Sequence, residues 1–147
     1  TEGDAKKDGV ESTADLLNAI GQTDQKIILD GLKNIDEELC DDISSFLFMF
    51  DDIISLPDNA IQAIIGATDN KLLATALKGA KDNMRELFYK NLSKKAGGML
   101  RDEIDVLPPM PMKDIEKAQS EVLQIVFDLE SKGDLSISRS GDEQELI

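Results

Sequence analysis

The sequence predicts an all-α fold, and three features of its composition and pattern carry that prediction. Leu, Ile and Ala are abundant, whereas aromatic residues are sparse, with five Phe, one Tyr and no Trp. Only four prolines and ten glycines interrupt the 147 residues. Between these breaks, apolar residues recur at the three- and four-residue spacing of amphipathic helices. The chain is long enough for one large or two small domains with real cores.

The first third of the chain predicts a lead-in followed by three short helices. Residues 1–10 are polar and lack periodicity, so we expect a disordered lead-in or linker there. Residues 11–46 predict helices over about 12–20, from the cap Thr23 to about Leu32, and from about Asp36 onward. Short turns between three such helices are typical of an armadillo-like unit. Because one unit seldom buries its apolar faces alone, another helical module is expected to stack on it.

The rest of the chain predicts further helices, separated by turn residues. Pro57 suits the first turn of one helix, and Asp69 and Ser93 are candidate N-caps for two others. The Pro-rich residues 108–111 force a stop, and a long helix follows over about 113–132. The acidic residues 139–147 are expected to form a loose tail.

The helix predicted over residues 93–107 combines an apolar face with a mixed-charge face. Lys95 and Asp102, seven residues apart, share one strip at the edge of the apolar arc. Glu103 falls inside that arc, where a carboxylate needs a cation, a backbone amide or solvent. The residues predicted to form the arc are Ala96, Met99, Leu100, Ile104 and Leu107.

The net charge of −14 limits the classes of partner. It argues against non-specific binding to nucleic acid, which depends on neutralising phosphates, and against a polybasic membrane anchor. Most cations follow Ala67 and are interleaved with acids, which suits a partner that carries both signs of charge. No run of about 18 apolar residues predicts a membrane span. The lone Cys40 lies in an apolar helical pattern, as expected for a buried thiol in the cytosol.

The sequence also lacks the residues of most catalytic and metal sites. It contains no His, and its single Cys cannot form a zinc site. Phosphate-binding and nucleophile motifs built on glycine are missing. The acidic pairs Asp41-Asp42 and Asp51-Asp52 do not have the spacing of a calcium loop. We therefore predict that the protein is not an enzyme and binds no cofactor or metal.

Several segments are more specific than the composition. They read LKGA at 77–80, MRELF at 84–88, NLSKKA at 91–96 and LRDE at 100–103. Their order and spacing closely resemble the C-terminal domain of the flagellar motor switch protein family FliG. GVESTADLLN at 9–18, and LFMF before two acids at 47–52, resemble further segments of that family. The resemblance therefore runs from about residue 10 to residue 137.

The resemblance implies an armadillo-like helical repeat joined by a hinge to a compact helical C-terminal domain. The implied ranges are 11–46 for the repeat, 47–56 for the hinge and 57–138 for the C-terminal domain with its charged helix. The hinge residues would be Leu47, Phe48, Met49 and Phe50. Two Phe at positions i and i+2 cannot share one helical face, so they can anchor separate packing surfaces. Without the resemblance, the same residues predict a buried core segment.

The resemblance also implies which residues meet other motor proteins. The charged surface facing the stator protein MotA would comprise Lys78, Lys95, Arg101, Asp102 and Glu103. A further family arginine aligns with Pro111, and the usual N-cap serine of the last helix aligns with Lys113. An apolar patch for the switch protein FliM would comprise Leu16, Ile20, Ile28 and Leu32, which are equally consistent with the core of the module itself.

In function, the resemblance implies a rotor and switch component of the bacterial flagellar motor. It would be cytoplasmic, peripheral at the inner face of the cell membrane, and arranged in a ring with neighbouring FliG subunits. The charged helix would engage the stator to generate torque, and hinge motion would set the direction of rotation during chemotaxis. The alternative is a generic armadillo-type scaffold that binds a partner helix through an apolar groove and makes no use of the charges.

Overall fold

A computed structural model describes residues 2–20 and 22–137, and the side chains of 9–20 and 23–137 within them. The described residues form helices, turns and loops, without a strand, so the predicted all-α class is confirmed. The chain divides into two compact units, with the division between Met49 and Phe50. The helices are α1 (Glu2–Asn18), α2 (Gln22–Ile35), α3 (Glu37–Ser45), a 3₁₀ helix (Phe50–Ser55), α4 (Asp58–Ala67), α5 (Asn70–Lys78), α6 (Asp82–Lys90), α7 (Lys94–Val106) and α8 (Met112–Ser131).

The first unit contains α1, α2 and α3, and α3 packs against both of the others. Its buried core consists of Val10, Ala14, Leu17 and Ile43. Asp36 caps α3, because its side chain accepts a hydrogen bond from the amide of Leu39 at 3.1 Å. These three helices cover the predicted range 11–46, and the armadillo-like character of the module stays a prediction.

The lead-in predicted for residues 1–10 is wrong as far as these residues are described, because α1 begins at Glu2. The apolar periodicity that marks this helix starts only at Val10, which is buried with Ala14 and Leu17. Upstream of Val10, Glu, Ala and Lys residues have high intrinsic helix propensity, so they extend a helix that the buried residues anchor. Residues 139–147, predicted as a loose tail, lie outside the described residues.

The second unit contains the 3₁₀ helix and α4 to α8. The long helix α8 packs against α4, α5 and the 3₁₀ helix, and α7 packs against α5 and α6. Asp69 caps α5, as predicted. Gly133, at φ 83°, follows the end of α8. The largest fully buried apolar side chains of this unit are Phe50, Phe88, Ile53, Ile61, Ile64, Leu73, Leu77, Val122 and Val126.

The start of the second unit differs from the range predicted for it. Phe50–Ser55 forms the 3₁₀ helix and places Phe50 and Ile53 in the core of this unit. Of the predicted hinge range 47–56, only residues 47–49 precede the second unit. Pro57 is the N-cap residue of α4 and makes no side-chain capping bond.

Helices α5 and α8 approach each other closely at the end of α5, and α5 also packs against α7. Gly79, which follows α5, lies so near α8 that a Cβ atom placed on it would be 2.4 Å from Cγ2 of Ile115. One turn further along α8, the buried Gln119 donates a hydrogen bond to the carbonyl of Ala76 at 3.1 Å. Glycine is required at this point because there is no room for a side chain.

Candidate functional site

Helix α7 carries most of the predicted site, and its start agrees with the sequence prediction. The hydroxyl of Ser93 accepts a hydrogen bond from the amide of Ala96 at 3.1 Å, which confirms it as the N-cap. The residues that α7 buries are Gly97, Leu100 and Ile104. Gly97 faces the backbone of Tyr89, and a Cβ there would lie in ordinary van der Waals contact with the carbonyl oxygen of Tyr89, at 3.4 Å.

The buried face of α7 differs from the predicted arc. Met99, predicted to be buried, is 62% exposed, and Ala96 is half-buried. Sequence reasoning missed Gly97 because a glycine adds nothing to an apolar pattern. The Gly97-Gly98 pair inside a helix was the available signal, since an interior glycine often marks a close packing contact.

The charges on the exposed side of α7 are ordered by sign. Lys94 and Lys95 occupy its first turn, and Asp102 and Asp105 lie toward its end; all four are exposed. Within the part of the chain that the structure describes, none of them forms an ion pair. Lys95 and Asp102 are separated by two helical turns, or about 10 Å along the axis.

This order of charges opposes the stability of the helix. The N-terminus of a helix carries a partial positive charge and the C-terminus a partial negative one, so bases first and acids last destabilise it by about 0.3–1 kcal/mol per charge. The side-chain charges therefore add to the helix dipole instead of cancelling it. The exposed side of α7 is strongly dipolar, with a positive start and a negative end.

Glu103 lies between the exposed and buried sides of α7. Its side chain is half-buried and borders a cavity of about 270 Å³ between α7 and the first turns of α5. Of the three partners predicted for this carboxylate, a cation, a backbone amide or solvent, the half-buried position is consistent with solvent. The cavity is lined by Ile65, Asn70, Leu73, Leu92, Ala96, Met99, Leu100 and Glu103.

Arg101 is directed toward α6 rather than toward Asp102. Its guanidinium lies 3.7 Å from the carboxylate of Glu86 and 4.7 Å from the ring centre of Tyr89. The second contact has the geometry of a cation–π interaction. Arg101 thus holds α7 against α6.

Lys78 lies on α5 and reaches the end of α7. Its ammonium donates a hydrogen bond to the carbonyl of Leu107, the C-cap residue of α7, at 3.3 Å. The last turn of α7 contains no basic residue of its own, so Lys78 supplies the cation that a helix C-terminus favours. Of the predicted charged residues, the structure therefore brings Lys95, Asp102 and Glu103 together on α7 and gives Lys78 and Arg101 partners within the unit.

The first unit presents an apolar groove of about 740 Å³ along α2. Of the predicted patch, Ile28 and Leu32 line this groove, whereas Leu16 is 72% exposed outside it and Ile20 packs partly on the core. Ile27 and Ile35, which also line it and are 64% and 85% exposed, were missed. Their four-residue spacing around Gly31 was the signal that could have identified them.

The predicted hinge residues lie on both sides of the division between the units. Phe48 precedes the division and is buried, and Phe50 follows it and is buried in the second unit. Leu47 and Met49 are half-buried. Residues 47–49 have no helical structure.

The described residues give no sign of a metal site or of a membrane span. No three acidic or Cys side chains among them are grouped closely enough to hold a metal ion. No described helix combines the length and apolar character needed to cross a bilayer.

The sequence of the chain matches a known domain family. The family model described as FliG C-terminal domain matches residues 30–137. The chain belongs to the FliG family. The flagellar motor switch protein FliG of Thermotoga maritima is 38% identical over 143 residues, which are 97% of this chain and 43% of that protein. FliG of Vibrio cholerae is 32% identical over 139 residues, which are 95% of this chain and 40% of that protein.

Solved FliG structures share the helical fold. The crystal structure of residues 86–343 of FliG from H. pylori matches with a TM-score of 0.72 at 30% identity, covering 87% of this chain and 60% of that one. Full-length FliG from Aquifex aeolicus matches with a TM-score of 0.59 at 31% identity, covering 85% of this chain and 39% of that one. The chain spans about two-fifths of the length of the curated FliG relatives named above.

Proposed function

We propose that this chain is the torque-bearing part of a rotor and switch component of the bacterial flagellar motor. Its α7 engages the stator protein MotA, and the surrounding protein lies in the cytoplasm at the inner face of the membrane. The names of the relatives, flagellar motor switch protein FliG, support the motor role. The single observation that carries the role of α7 is its run of unpaired charges, ordered with the helix dipole and against the stability of the helix.

The physical chemistry of these charges suits a contact that forms and breaks repeatedly. Exposed ion pairs contribute only about 0–1 kcal/mol each, so one or two of them do not trap a moving partner. Complementary charge steers encounters and selects a register more than it adds affinity. A partner helix with acids opposite Lys95 and bases opposite Asp102 and Glu103 fits the dipolar surface, while Lys78 and Arg101 hold α7 in place behind it.

The groove on the first unit is proposed to hold a second helical element. Ile27, Ile28 and Ile35 are each at least 48% exposed, which is unusual for adjacent large apolar side chains on one helix. We assign this surface to the switch protein FliM or to a neighbouring FliG subunit in the ring. The prediction of a stacked helical module agrees with it.

Direction switching is proposed to use residues 47–50. The non-helical residues 47–49 join the units, so rotation about the backbone bonds of Leu47, Phe48 and Met49 can reorient α7 without unfolding either core.

The test of the stator role is charge reversal on α7 in the full-length protein of its own host. Lys95→Glu and Asp102→Lys each place a like charge opposite the partner, so we expect reduced tethered-cell rotation with intact flagella. The double reversal should recover part of the lost torque. Lys117→Glu, which reverses an exposed lysine on α8, is the matched control and should leave rotation unchanged.

The alternative, a generic armadillo-type scaffold, is favoured by one observation, the open apolar groove. It predicts that function depends on the apolar groove and does not depend on the charges of α7. Ile28→Glu in the groove would abolish association with a partner helix, and reversals at Lys95 and Asp102 would be silent in rotation assays. Normal rotation in all the α7 variants would therefore remove the charged surface from the mechanism, and loss of flagella in folded variants would assign α7 to assembly.

A further inference from the structure

The segment between α7 and α8 has a feature that the motor role does not use. Residues 107–111 read Leu-Pro-Pro-Met-Pro. Proline fixes its own φ near −65°, and it restricts the residue before it to extended or polyproline II conformations. Leu107, Pro108 and Met110 all precede a proline, so almost every backbone bond in the segment is constrained.

The structure agrees with this expectation at both ends of the segment. Leu107 has φ −62° and ψ 134°, and Pro111 has φ −61° and ψ 146°. These values lie close to polyproline II, near −75° and 145°. Between these ends, the fixed φ of Pro108, Pro109 and Pro111 and the restriction on the residues before them predict the same left-handed conformation with three residues per turn.

Both ends of the segment are held by hydrogen bonds, whereas the backbone carbonyls in its middle are available to a partner. The amide of Leu107 donates to the carbonyl of Ile104 at 3.3 Å, and its carbonyl accepts from Lys78. The carbonyl of Pro111 accepts from the amide of Asp114 at 3.0 Å. Among the described residues, the carbonyls of Pro108, Pro109 and Met110 have no hydrogen-bond partner within the chain.

The surface around the segment is apolar and ends in a cation. Pro108, Pro109 and Pro111 are exposed, and the flanking Val106 and Met112 are 78% and 62% exposed. Lys113 follows in the first turn of α8; it is exposed and forms no ion pair among the described residues. The positive end of the α8 dipole adds to the charge of Lys113.

We propose that residues 107–113 are a docking segment for a protein partner with an aromatic-lined groove that reads polyproline II. Three residues per turn place Pro108 and Pro111 on one edge, so the pairs Leu107-Pro108 and Met110-Pro111 fill two adjacent pockets. Pro109 points away from the groove. Tyr or Trp side chains of the groove donate to the free carbonyls, and a carboxylate at its end meets Lys113.

Preorganisation makes this surface suited to binding. A segment already held in its bound conformation loses little conformational entropy on docking. A segment that served only to stop α7 would need rigidity, but it would not need three exposed prolines beside the half-buried Leu107 and Met110. It would also not need Lys113, which has no ion pair among the described residues, two positions after the last proline. The proposal is independent of the stator role of α7.

The test is a titration of the full chain with a purified SH3 domain selective for the sequence P-x-x-P-x-K, monitored by the tryptophan fluorescence of that domain. We expect saturable binding that the double variant Pro108→Ala and Pro111→Ala weakens at least about tenfold, which corresponds to about 1.4 kcal/mol. Lys113→Glu should weaken it about five- to tenfold, and high salt should weaken it as well.

Pro109→Ala is the matched control, because it removes one exposed proline that faces away from the groove. It should change the affinity less than about threefold. Circular dichroism melts should be alike for all variants, since every altered side chain is exposed. Absence of saturable binding, or an equal effect of Pro109→Ala and the double variant, would overturn the proposal.

The natural partner is tested with a photo-crosslinking residue in place of Pro109 in the full-length protein of its own host. A crosslink that maps to a groove lined by Tyr, Trp or Phe side chains on another protein supports the proposal. Mapping to a surface without aromatic residues, to a second copy of this chain, or to no protein refutes it.

Discussion

At the scale of single residues, two lysines of similar chemistry serve different purposes because of what their ammonium groups reach. Lys95 is exposed and has no ion-pair partner among the described residues, so it is available to another protein. Lys78 is half-buried and donates to the carbonyl of Leu107, so it is committed to holding the end of α7. The family resemblance implied one charged surface for both lysines, and the sequence carries no information on which acceptor a long side chain finds.

The role of Lys78 predicts a stability effect that Lys95 lacks. Lys78→Met removes the hydrogen bond to Leu107 and should lower the free energy of unfolding by about 1 kcal/mol. Lys78→Arg keeps a hydrogen-bond donor and should lower the free energy of unfolding by less than Lys78→Met does. Hydrogen exchange of the last-turn amides of α7 should accelerate in the Met variant. Lys95→Met, the control, should stay within about 0.5 kcal/mol of the parent; equal losses at both positions would contradict the assignment.

Two glycines of the second unit should respond to alanine in opposite directions. Gly79→Ala forces a Cβ against Ile115 and should destabilise by about 1–3 kcal/mol. Gly98→Ala, inside α7 with nothing within 4 Å of its Cβ position, should stabilise by about 0.5–1 kcal/mol. Urea unfolding of the two variants measures both. If Gly79→Ala left the free energy of unfolding unchanged, α8 would be able to move away from α5 without a loss of stability.

At the scale of elements, the sequence predicted helices best where a side chain marks their start. Asp36, Asp69 and Ser93 accept hydrogen bonds from first-turn amides, as their positions predicted. The start of α1 was not predictable in this way, because helix propensity rather than a cap extends it beyond Val10. The burial of Gly97 and the exposure of Met99 on α7 were missed because they depend on how the helix packs against α5 and α6, which apolar periodicity does not reveal.

The cap of α7 can be tested by removing a single oxygen. Ser93→Ala deletes the acceptor for the amide of Ala96 and should lower the free energy of unfolding by about 1 kcal/mol. Two lysines already oppose the dipole in this first turn, so the cap matters more here than at a helix with acidic residues at its start. Ser93→Asp should be at least as stable as the parent. The measurement is thermal unfolding followed by circular dichroism, and an unchanged melting temperature in Ser93→Ala would argue against the cap.

At the scale of the whole molecule, the division of the chain between Met49 and Phe50 could be predicted only in part from the sequence. The phenylalanines of the predicted hinge located the region, but periodicity did not reveal the 3₁₀ helix that carries Phe50 into the second core. A six-residue 3₁₀ helix is too short for its apolar spacing to stand out from a loop. The charged helix was predicted well because its residues are contiguous, whereas the partners of Lys78 and Arg101 come from segments distant in the chain.

The division predicts that residues 50–137 fold alone. This fragment retains the 3₁₀ helix and the core built around α8, so we expect helical circular dichroism and one cooperative urea transition. A fragment starting at residue 57 removes Phe50 and Ile53 from the core and should be less stable by several kcal/mol. If both fragments unfold at the same urea concentration, the 3₁₀ helix is not part of the folding unit.

The contact between Arg101 and Tyr89 has a practical consequence. Tyr89 is the only tyrosine of the chain, and no tryptophan is present. Its ring lies under the guanidinium of Arg101, so the strongest intrinsic fluorophore of the chain, though a weak one, sits at the junction between the charged helix and α6. Tyrosine emission from the unlabelled protein should therefore change when α7 moves away from α6.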